Sequence, residues 1–513
     1  MPFANGIAMT GMEELFAKTC EYVRDTARLE ATLALLEWDD RTFRPADGGA
    51  YRAEQIMQLS GVIHQRRTDD RLGEMLGELS ASSLATDPHS DFGATIARLY
   101  KDYRRHSRLS VELVQAISKA TTLGQQAWEQ ARHRNDWASF QPHMETIFSL
   151  RRREAEMLSD GGPLYDSLLD HYEEGARSQQ LSATLAELRT GLIPLVQSLS
   201  DAPARPDGRA WRRNVAKDLQ RAASRWVAEQ VGYDFQRGRL DETSHPFCTT
   251  LGPNDCRILT RYQVDYFPSG FYGTLHEAGH GMYEQGLRGQ WYGLPPGSAA
   301  SLGVHESQSR LWENFIGRSR SFWLWAFPKL NSILGGAWHD FDAEQTYRDA
   351  NRVQPSLIRV EADEVTYNLH ILIRFELEME LITGELSCAD APQAWNDRYH
   401  RYLGIRPRDF RDGILQDIHW SAGLIGYFPT YTLGNLYAAQ LMRTIARDVG
   451  NIDEVVQRGE FGEILQWLRE HIHCCGRCYE PVSLIERATG QALSAQPLID
   501  YLRTKLDPIH AVG

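Results

Sequence analysis

The sequence predicts a mostly α-helical fold, and three observations support this prediction. Apolar residues recur three and four positions apart in one segment after another, which is the period of a helix with one buried face. Runs that alternate apolar and polar residues, which would indicate strands, are few and short. The composition, 42% hydrophobic and 24% charged, is that of a globular chain long enough to bury a large core.

Seven segments carry the helical periodicity, and one loop interrupts them. The segments span residues 12–38, 53–67, 142–158, 181–199, 368–386, 435–449 and 483–506. The clearest loop is DAPARPDG at 201–208, which is rich in proline. We therefore expect an N-terminal helical region at 1–200 and a region at 209–513 that holds the chemistry, or else one continuous domain with a proline-rich break.

Charge and cysteine content exclude several classes of protein. The net charge of −13 and the pI near 5.7 argue against nucleic-acid binding, since no basic tract offers phosphate contacts. The first 16 residues lack the basic start and apolar stretch of a secretory signal, and no run of about 18 apolar residues indicates a membrane span. Seven cysteines form no disulfide framework for a chain of this size. We expect a cytoplasmic protein that binds neither nucleic acid nor membranes.

The stretch FYGTLHEAGHGMYEQGL contains the pattern HEXXH, formed by His276, Glu277 and His280. Two histidines four apart project from one helix face and are close enough to share a metal ion. Glu277 lies further around the helix, where we expect it to deprotonate a metal-bound water. The alternative is a pair of core or surface histidines, because Gly279 and Gly281 weaken the helix.

A third metal ligand is expected downstream. Glu306 lies 26 residues beyond His280, near the start of a second predicted helix. Two histidines and one glutamate leave the fourth position of a catalytic zinc for water. His305 is a rival ligand, and the histidine that metzincins place six residues after the pattern is absent, because that position is Gly286.

Six motifs follow one another in a recognisable order. They are HPF at 245–247, DCRILT at 255–260, HEAGH at 276–280, HESQSRLWEN at 305–314, IRVEAD at 358–363 and GILQDIHW at 413–420. Together they resemble the signatures of the carboxypeptidase Taq family of zinc metallocarboxypeptidases. The resemblance implies a mostly helical, saddle-like fold with a deep central groove, N-terminal helices that cover the groove, and commonly a homodimer.

The resemblance also assigns roles to residues. It makes His276, His280 and Glu306 the metal ligands and Glu277 the catalytic general base. It suggests that Arg359 binds the terminal carboxylate of the substrate, a role that suits a planar bidentate donor. Without the motif, Arg359 would be a structural ion pair with Asp363 or Glu364. The other candidate substrate-binding residues are Arg257, His245, His419, Tyr427 and Tyr431.

The activity that the resemblance implies is metal-dependent release of C-terminal amino acids from peptides with a free C-terminus. Zinc is the expected cofactor, with cobalt or manganese as substitutes. A zinc endopeptidase or oligopeptidase of the same helical class is one alternative, and a cationic clamp that closes the groove separates the two activities. A catalytically inactive scaffold is a second alternative, although the intact Glu277 argues against it.

One stretch departs from the family pattern. HIHCCGRCYEP at 471–481 holds Cys474, Cys475 and Cys478, with His471 and His473 close by. Cys475 and Cys478 have the spacing of a metal finger, but a zinc ribbon requires a second pair that the chain lacks. Free thiols near the surface are the favoured interpretation, and a second metal or a redox role is the alternative.

Overall fold

A computed structural model of the chain describes residues 10–511, and it confirms the predicted mostly helical fold. Most of the stretch examined for a secretory signal, residues 1–9, and residues 512–513 lie outside the described part. None of the described helices has the length and apolar character needed to cross a bilayer. The first nine helices are α1 (Gly11–Asp40), α2 (Gly49–Arg67), α3 (Asp70–Ser80), α4 (Asp91–Arg108), α5 (Val111–Arg134), α6 (Trp137–Leu158), α7 (Leu164–Leu169), α8 (Ser178–Asp201) and α9 (Lys217–Val231).

Three short strands and the remaining helices follow. The strands are β1 (Gly238–Glu242), β2 (Phe247–Gly252) and β3 (Asp255–Thr260). The helices are α10 (Phe267–Gly286), α11 (Leu302–Arg310), α12 (Arg320–Ile333), α13 (Ala343–Ala350), α14 (Thr366–Thr383), α15 (Ala391–Leu403), α16 (Pro429–Val449), α17 (Ile452–Arg458), α18 (Phe461–His471), α19 (Pro481–Thr489) and α20 (Gln496–His510). A π-helical segment, Leu311–Ile316, continues α11 without a break.

The buried apolar residues form two clusters, and the boundary between these clusters does not fall at the loop 201–208. The large core takes in buried residues from α5 to α20, so α5, α6 and α8 share it with the helices beyond the loop. A smaller cluster joins α1, α3 and α4 to the segment 291–294; its buried members are Phe16, Cys20, Leu79, Ile96, Trp291 and Leu294. The division at 200 stays a prediction, and the smaller cluster sets only α1, α3 and α4 apart from the large core.

The three strands form one small sheet that lies against α10. Their order is β1-β3-β2, with β1 parallel and β2 antiparallel to β3. The sheet carries two of the six motifs, because β2 begins in HPF and β3 is DCRILT itself. On another side, α10 packs against α11. The helix that contains HEXXH is therefore enclosed between the sheet and the helix that contains Glu306.

Candidate metal centre

The backbones of α10 and α11 approach closely at Gly279. A Cβ atom at Gly279 would lie 2.5 Å from Cα of Ser309 and 2.6 Å from the carbonyl oxygen of Gln308. Glycine is therefore required there because α11 leaves no space for a side chain. The same reason applies at Gly281, where a Cβ atom would meet the ring of Tyr233 at 2.6 Å. The glycines that disfavour α10 as an isolated helix are thus what allows its neighbours to pack.

This packing brings together the three side chains that sequence spacing selected. The Nε2 atoms of His276 and His280 each lie 3.8 Å from the Oε2 atom of Glu306. One ligand atom from each residue lies within 4.8 Å of the others, which is close enough to hold a single ion. Helix α16 closes this site from behind, since a Cβ atom at Gly434 would lie 2.4 Å from Cγ of Glu306.

Hydrogen bonds orient the imidazole rings of His276 and His280. His276 directs Nδ1 to a Glu313 carboxylate oxygen at 2.9 Å. The Nδ1 atom of His280 lies 2.5 Å from Nδ1 of His305, whose Nε2 in turn lies 2.9 Å from an oxygen of Glu284. Since Glu284 accepts from His305 Nε2–H, the other nitrogen of His305 accepts and His280 donates. In their neutral forms, both histidines therefore keep the lone pair of Nε2 free.

This arrangement makes His305, the rival ligand, an outer partner of His280. Its two ring nitrogens are already engaged with His280 and Glu284, and it is not a member of the three-residue group. Glu284 is fixed by Thr250 of β2, whose hydroxyl donates to it at 3.0 Å. The sheet thus contributes indirectly to the orientation of His280.

A half-buried arginine pairs with two of the carboxylates. Arg310 donates from Nε to Glu306 at 2.7 Å and from Nη1 to Glu313 at 3.2 Å. Arg318 donates to the other oxygen of Glu313 at 3.1 Å. Burial opposes ionisation of Glu313, but Arg310 and His276 outweigh it and hold the pKa of Glu313 well below its usual range. Glu313 is therefore a carboxylate that accepts the Nδ1 proton of His276.

Glu277 differs from these residues because no hydrogen bond satisfies its buried end. Its side chain is buried, and within residues 10–511 its Oε2 atom has no partner. Burial raises the pKa of Glu277 to about 7. A buried carboxylate oxygen without a donor is an exception in proteins, and beside the two histidines it fits a position that faces water or substrate.

Tyr367 and Arg310 connect Arg359 to Glu306. Tyr367 stacks under the guanidinium of Arg310, at 4.5 Å, and accepts a hydrogen bond from Nη1 of Arg359 at 3.2 Å. The ion-pair partner of Arg359 is Asp417, at 2.9 Å. Asp417 also binds Arg374, at 2.6 Å. Asp363 and Glu364, the neighbours in sequence, are engaged elsewhere.

Three further predicted residues surround Arg359. Tyr431 has its ring 5.0 Å from the Arg359 guanidinium carbon, and its hydroxyl lies 3.2 Å from Nε2 of His419. The ring of Tyr427 is 5.4 Å from that of Tyr431. Burial, together with the positive charge of Arg359, lowers the pKa of His419 to about 3. His419 is therefore a neutral imidazole that can donate or accept a hydrogen bond.

Arg257 and His245 are positioned differently. Arg257 on β3 is paired with Asp255 through two hydrogen bonds of 2.9 Å, and its guanidinium stacks 4.2 Å from the ring of Trp38 in α1. His245 is exposed in the loop between β1 and β2. The contacts described for these two residues do not connect them to the group around Glu306.

A cavity of about 560 Å³ lies beside His305. Its walls come from α1, α2 and α4, from the turn around Tyr172 and from residues 293–302. The N-terminal helices thus form one wall of an open space that reaches the outer partner of His280.

Several residues of this centre were not found by sequence reasoning. They are Glu313, Arg310, Glu284 and Asp417. One motif contains Glu306, Arg310 and Glu313, which are spaced four and three residues apart. Residues at this spacing lie on one helix face, so the sequence itself indicates that they can interact. No such spacing indicates Glu284 or Asp417, because the residues that they bind lie on other elements.

A helical fold with two histidines and a glutamate at an HEXXH helix is that of a metallopeptidase. The sequence profile of the carboxypeptidase Taq (M32) metallopeptidase family matches residues 18–506. The chain therefore belongs to this family, as the six motifs predicted, and it is a metallocarboxypeptidase that hydrolyses peptides. The endopeptidase alternative is not favoured.

Individual relatives match over nearly their full length. Thermostable carboxypeptidase 1 of Thermus thermophilus is 45% identical over 506 residues, covering 96% of this chain and 98% of that protein. Carboxypeptidase 1 of Bacillus subtilis is 39% identical over 482 residues, covering 93% and 95%. The crystal structure of the M32 carboxypeptidase from Deinococcus radiodurans R1 is similar with a TM-score of 0.94 at 38% identity, covering 97% of this chain and 100% of that chain.

The close approach at Gly279 generates a prediction. Gly279→Ala forces α10 and α11 apart, and we expect a loss of stability of about 1–3 kcal/mol together with weaker metal retention. Unfolding curves and metal content after dialysis measure the two effects. The control is Gly462→Ala in α18, where an added Cβ atom meets nothing within 4 Å, so stability should stay the same or rise. Unchanged stability and metal content in Gly279→Ala would contradict the packing argument.

Proposed function

We propose that His276, His280 and Glu306 hold one divalent cation and that Glu277 is the general base for removal of C-terminal residues. The observation that carries this proposal is the geometry of the donors. Three ligand atoms lie within 4.8 Å of one another, and hydrogen bonds leave both Nε2 lone pairs free. A donor set of two imidazoles and one carboxylate is that of a catalytic zinc site.

When bound, the cation supplies Lewis acidity, which lowers the pKa of a coordinated water and polarises the scissile carbonyl. Glu277 accepts a proton from the attacking water and returns it to the leaving amine nitrogen. Support comes from its position next to His276 and from the buried Oε2 atom that has no partner within the described residues. His276 and His280 stay neutral ligands, since each donates its Nδ1–H to an outer acceptor.

Arg359 gives the site its exopeptidase character in this proposal. It binds the terminal carboxylate of the substrate, while Asp417 and Tyr367 fix its orientation. A guanidinium has five N–H donors, so these two partners leave donors for a second carboxylate. Arg374 keeps Asp417 paired on its other oxygen, which supports a permanent Arg359–Asp417 pair that is ready to receive an anion.

The remaining predicted residues are proposed to orient the peptide. Tyr427, Tyr431 and His419 lie around Arg359, and their hydroxyl and imidazole groups are suited to donate to the oxyanion or to the terminal carboxylate. Arg257 is the second candidate for the carboxylate. His245 is proposed to contact substrate at the β1–β2 loop.

We further propose zinc as the native metal, with cobalt or manganese as substitutes, and a cytoplasmic homodimer in which residues 1–200 cover the groove. The donor set supports zinc. All seven cysteines are unpaired, which supports a reducing compartment. The cavity wall formed by α1, α2 and α4 supports the covering role of the N-terminal helices.

Removal of the metal should abolish peptide hydrolysis. We expect the purified protein to hold about one transition-metal ion per chain, and zinc should restore activity after chelation. Elemental analysis and a peptide-release assay measure both quantities on one sample. Full activity in protein verified to be metal-free would exclude the proposed chemistry.

Substitutions separate the base from the ligands. Glu277→Gln should keep the metal and lose about 10²–10⁴-fold in turnover, because only proton transfer is removed. Glu306→Ala should lose the metal. His305→Ala is the matched control for an outer partner and should weaken metal affinity by about 10–100-fold without removing the site. If Glu277→Gln lost the ion while Glu306→Ala kept it, the two roles would have to be exchanged.

Peptides that differ only in the C-terminal carboxylate test the proposed role of Arg359. A free-acid peptide should be cleaved far better than its C-terminally amidated twin, and Arg359→Ala should remove this preference at a cost of about 2–5 kcal/mol while metal content is unchanged. Arg359→Lys should restore it incompletely, because an ammonium lacks the planar fork.

Arg257→Ala is the matched control and should retain the preference. Preference that survived in Arg359→Ala but disappeared in Arg257→Ala would move the carboxylate site to β3.

A further inference from the structure

The cysteine-rich stretch after α18 lies outside the proposed metal centre. The chain passes through a short 3₁₀ turn, His473–Cys475, and then through Gly476 to Cys478. Cys474 is exposed, Cys475 is half-buried and Cys478 is buried. Among the described residues, these cysteines and the neighbouring histidines do not supply three ligand atoms close enough for one ion. The finger spacing noted in the sequence therefore does not form a metal site here.

Two of the three thiols face each other. The Sγ atoms of Cys474 and Cys475 are 3.9 Å apart. The thiol of Cys478 is turned away to Arg288, whose Nη2 lies 3.5 Å from its sulfur, and to Asp91. Cys474 and Cys475 are thus a vicinal dithiol, with one member open to solvent.

The backbone that presents this pair is fixed on both sides. A Cβ atom at Gly476 would lie 2.2 Å from the carbonyl oxygen of Pro296, and the φ of Gly476 is 52°, so only glycine fits this contact. The next residue, Arg477, donates its backbone N–H to Pro295 at 2.9 Å. Before the pair, Nε2 of His473 lies 3.0 Å from Gln308 of α11. The two thiols are therefore held in proximity by a rigid turn.

The two thiols are also electronically different. The Cys475 S–H group, together with the charges of Arg288 and His471, lowers the pKa of Cys474 to about 6. The same contact and burial raise the pKa of Cys475. When protonated, Cys474 donates instead to the carbonyl oxygen of Glu470 at 2.9 Å. An exposed thiolate next to a protonated thiol is the arrangement of an attacking and a resolving cysteine.

We propose that Cys474 and Cys475 form a thiol–disulfide exchange site for soluble disulfides of low molecular mass. The Cys474 thiolate attacks one sulfur of the soluble disulfide, whose S–S bond breaks and releases one thiolate. Cys475 then loses its proton to solvent and attacks Sγ of Cys474, which closes a vicinal disulfide and releases the second thiol. The protein pair loses two electrons and two protons, and the soluble disulfide becomes two thiols.

The closed form is expected to be readily reversible. Adjacent Cα atoms are about 3.8 Å apart, less than the roughly 4.4–6.8 Å of most disulfides. Ring closure must also bring the two sulfurs from 3.9 Å to about 2.05 Å. A strained and accessible disulfide has a high reduction potential, so thiols reopen it easily.

The test uses the reduced full-length protein and glutathione disulfide as the probe, with intact mass and peptide mapping as readouts. We expect a transient single glutathione adduct at Cys474, followed by a product two hydrogen atoms lighter than the reduced protein, with the loss mapped to 474–475. Dithiothreitol should restore the starting mass. Cys475→Ser should accumulate the adduct at Cys474, and Cys474→Ser should form neither product.

Cys478→Ser is the matched control and should behave like the unsubstituted protein. Adduct formation at Cys474 no faster than at the buried Cys388 would overturn the proposal. So would a disulfide that persists in Cys475→Ser, because Cys478 would then be the resolving thiol. Both readouts are independent of peptidase activity, so they are separate from the tests of the metal centre.

Discussion

The half-buried guanidinium of Arg310 is the group on which the geometry of the proposed centre depends. Glu277, Glu306 and Glu313 are buried close to one another, where carboxylates repel one another and burial disfavours negative charge. Arg310 donates hydrogen bonds to two of them, Glu306 and Glu313, and its positive charge offsets their negative charges. Removing one partner from a buried pair of this kind typically costs about 3–5 kcal/mol. The centre is therefore assembled around a cation that belongs to the protein, before any metal binds.

Arg310 is connected to two parts of the site, His276 and Arg359. Glu313 orients His276, and the stacked ring of Tyr367 connects Arg310 to Arg359. The motif at 305–314 therefore links the proposed metal ligands to Arg359, the residue proposed to bind the terminal carboxylate of the substrate. A carboxypeptidase needs a constant distance between its metal ion and the site that binds the terminal carboxylate of the substrate. A chain of packed side-chain contacts fixes such a distance better than surface loops do.

The sequence predicted the elements better than their partners. Periodicity located α1, α2, α6, α8, α14 and α16, but it joined α19 and α20 into one segment and did not indicate several other helices. HEXXH with Glu306 selected the three residues that α10 and α11 bring together. Arg359 is an example. The structural alternative to its predicted role paired it with Asp363 or Glu364, yet Asp363 accepts from the backbone of Val365 and Thr366, and Glu364 binds Lys505. Asp417, 58 residues from Arg359, is the partner. Such pairings depend on the packing of α14 against distant segments, which no local pattern encodes.

The small buried area of α2 has a consequence for the timescale on which the cavity beside His305 exchanges its contents. Helix α2 has a single buried residue, Ile63, whereas α4 is joined to the rest by ion pairs such as Arg98–Glu174 and Lys101–Asp170. Segments with little buried apolar surface open at a fraction of the global unfolding free energy. Helix α2 is therefore expected to undergo local opening and rapid amide hydrogen exchange while α10 and α11 stay protected. Because Arg66 and Arg67 of α2 line the cavity, this opening lets peptides reach the interior without disturbing α10 and α11.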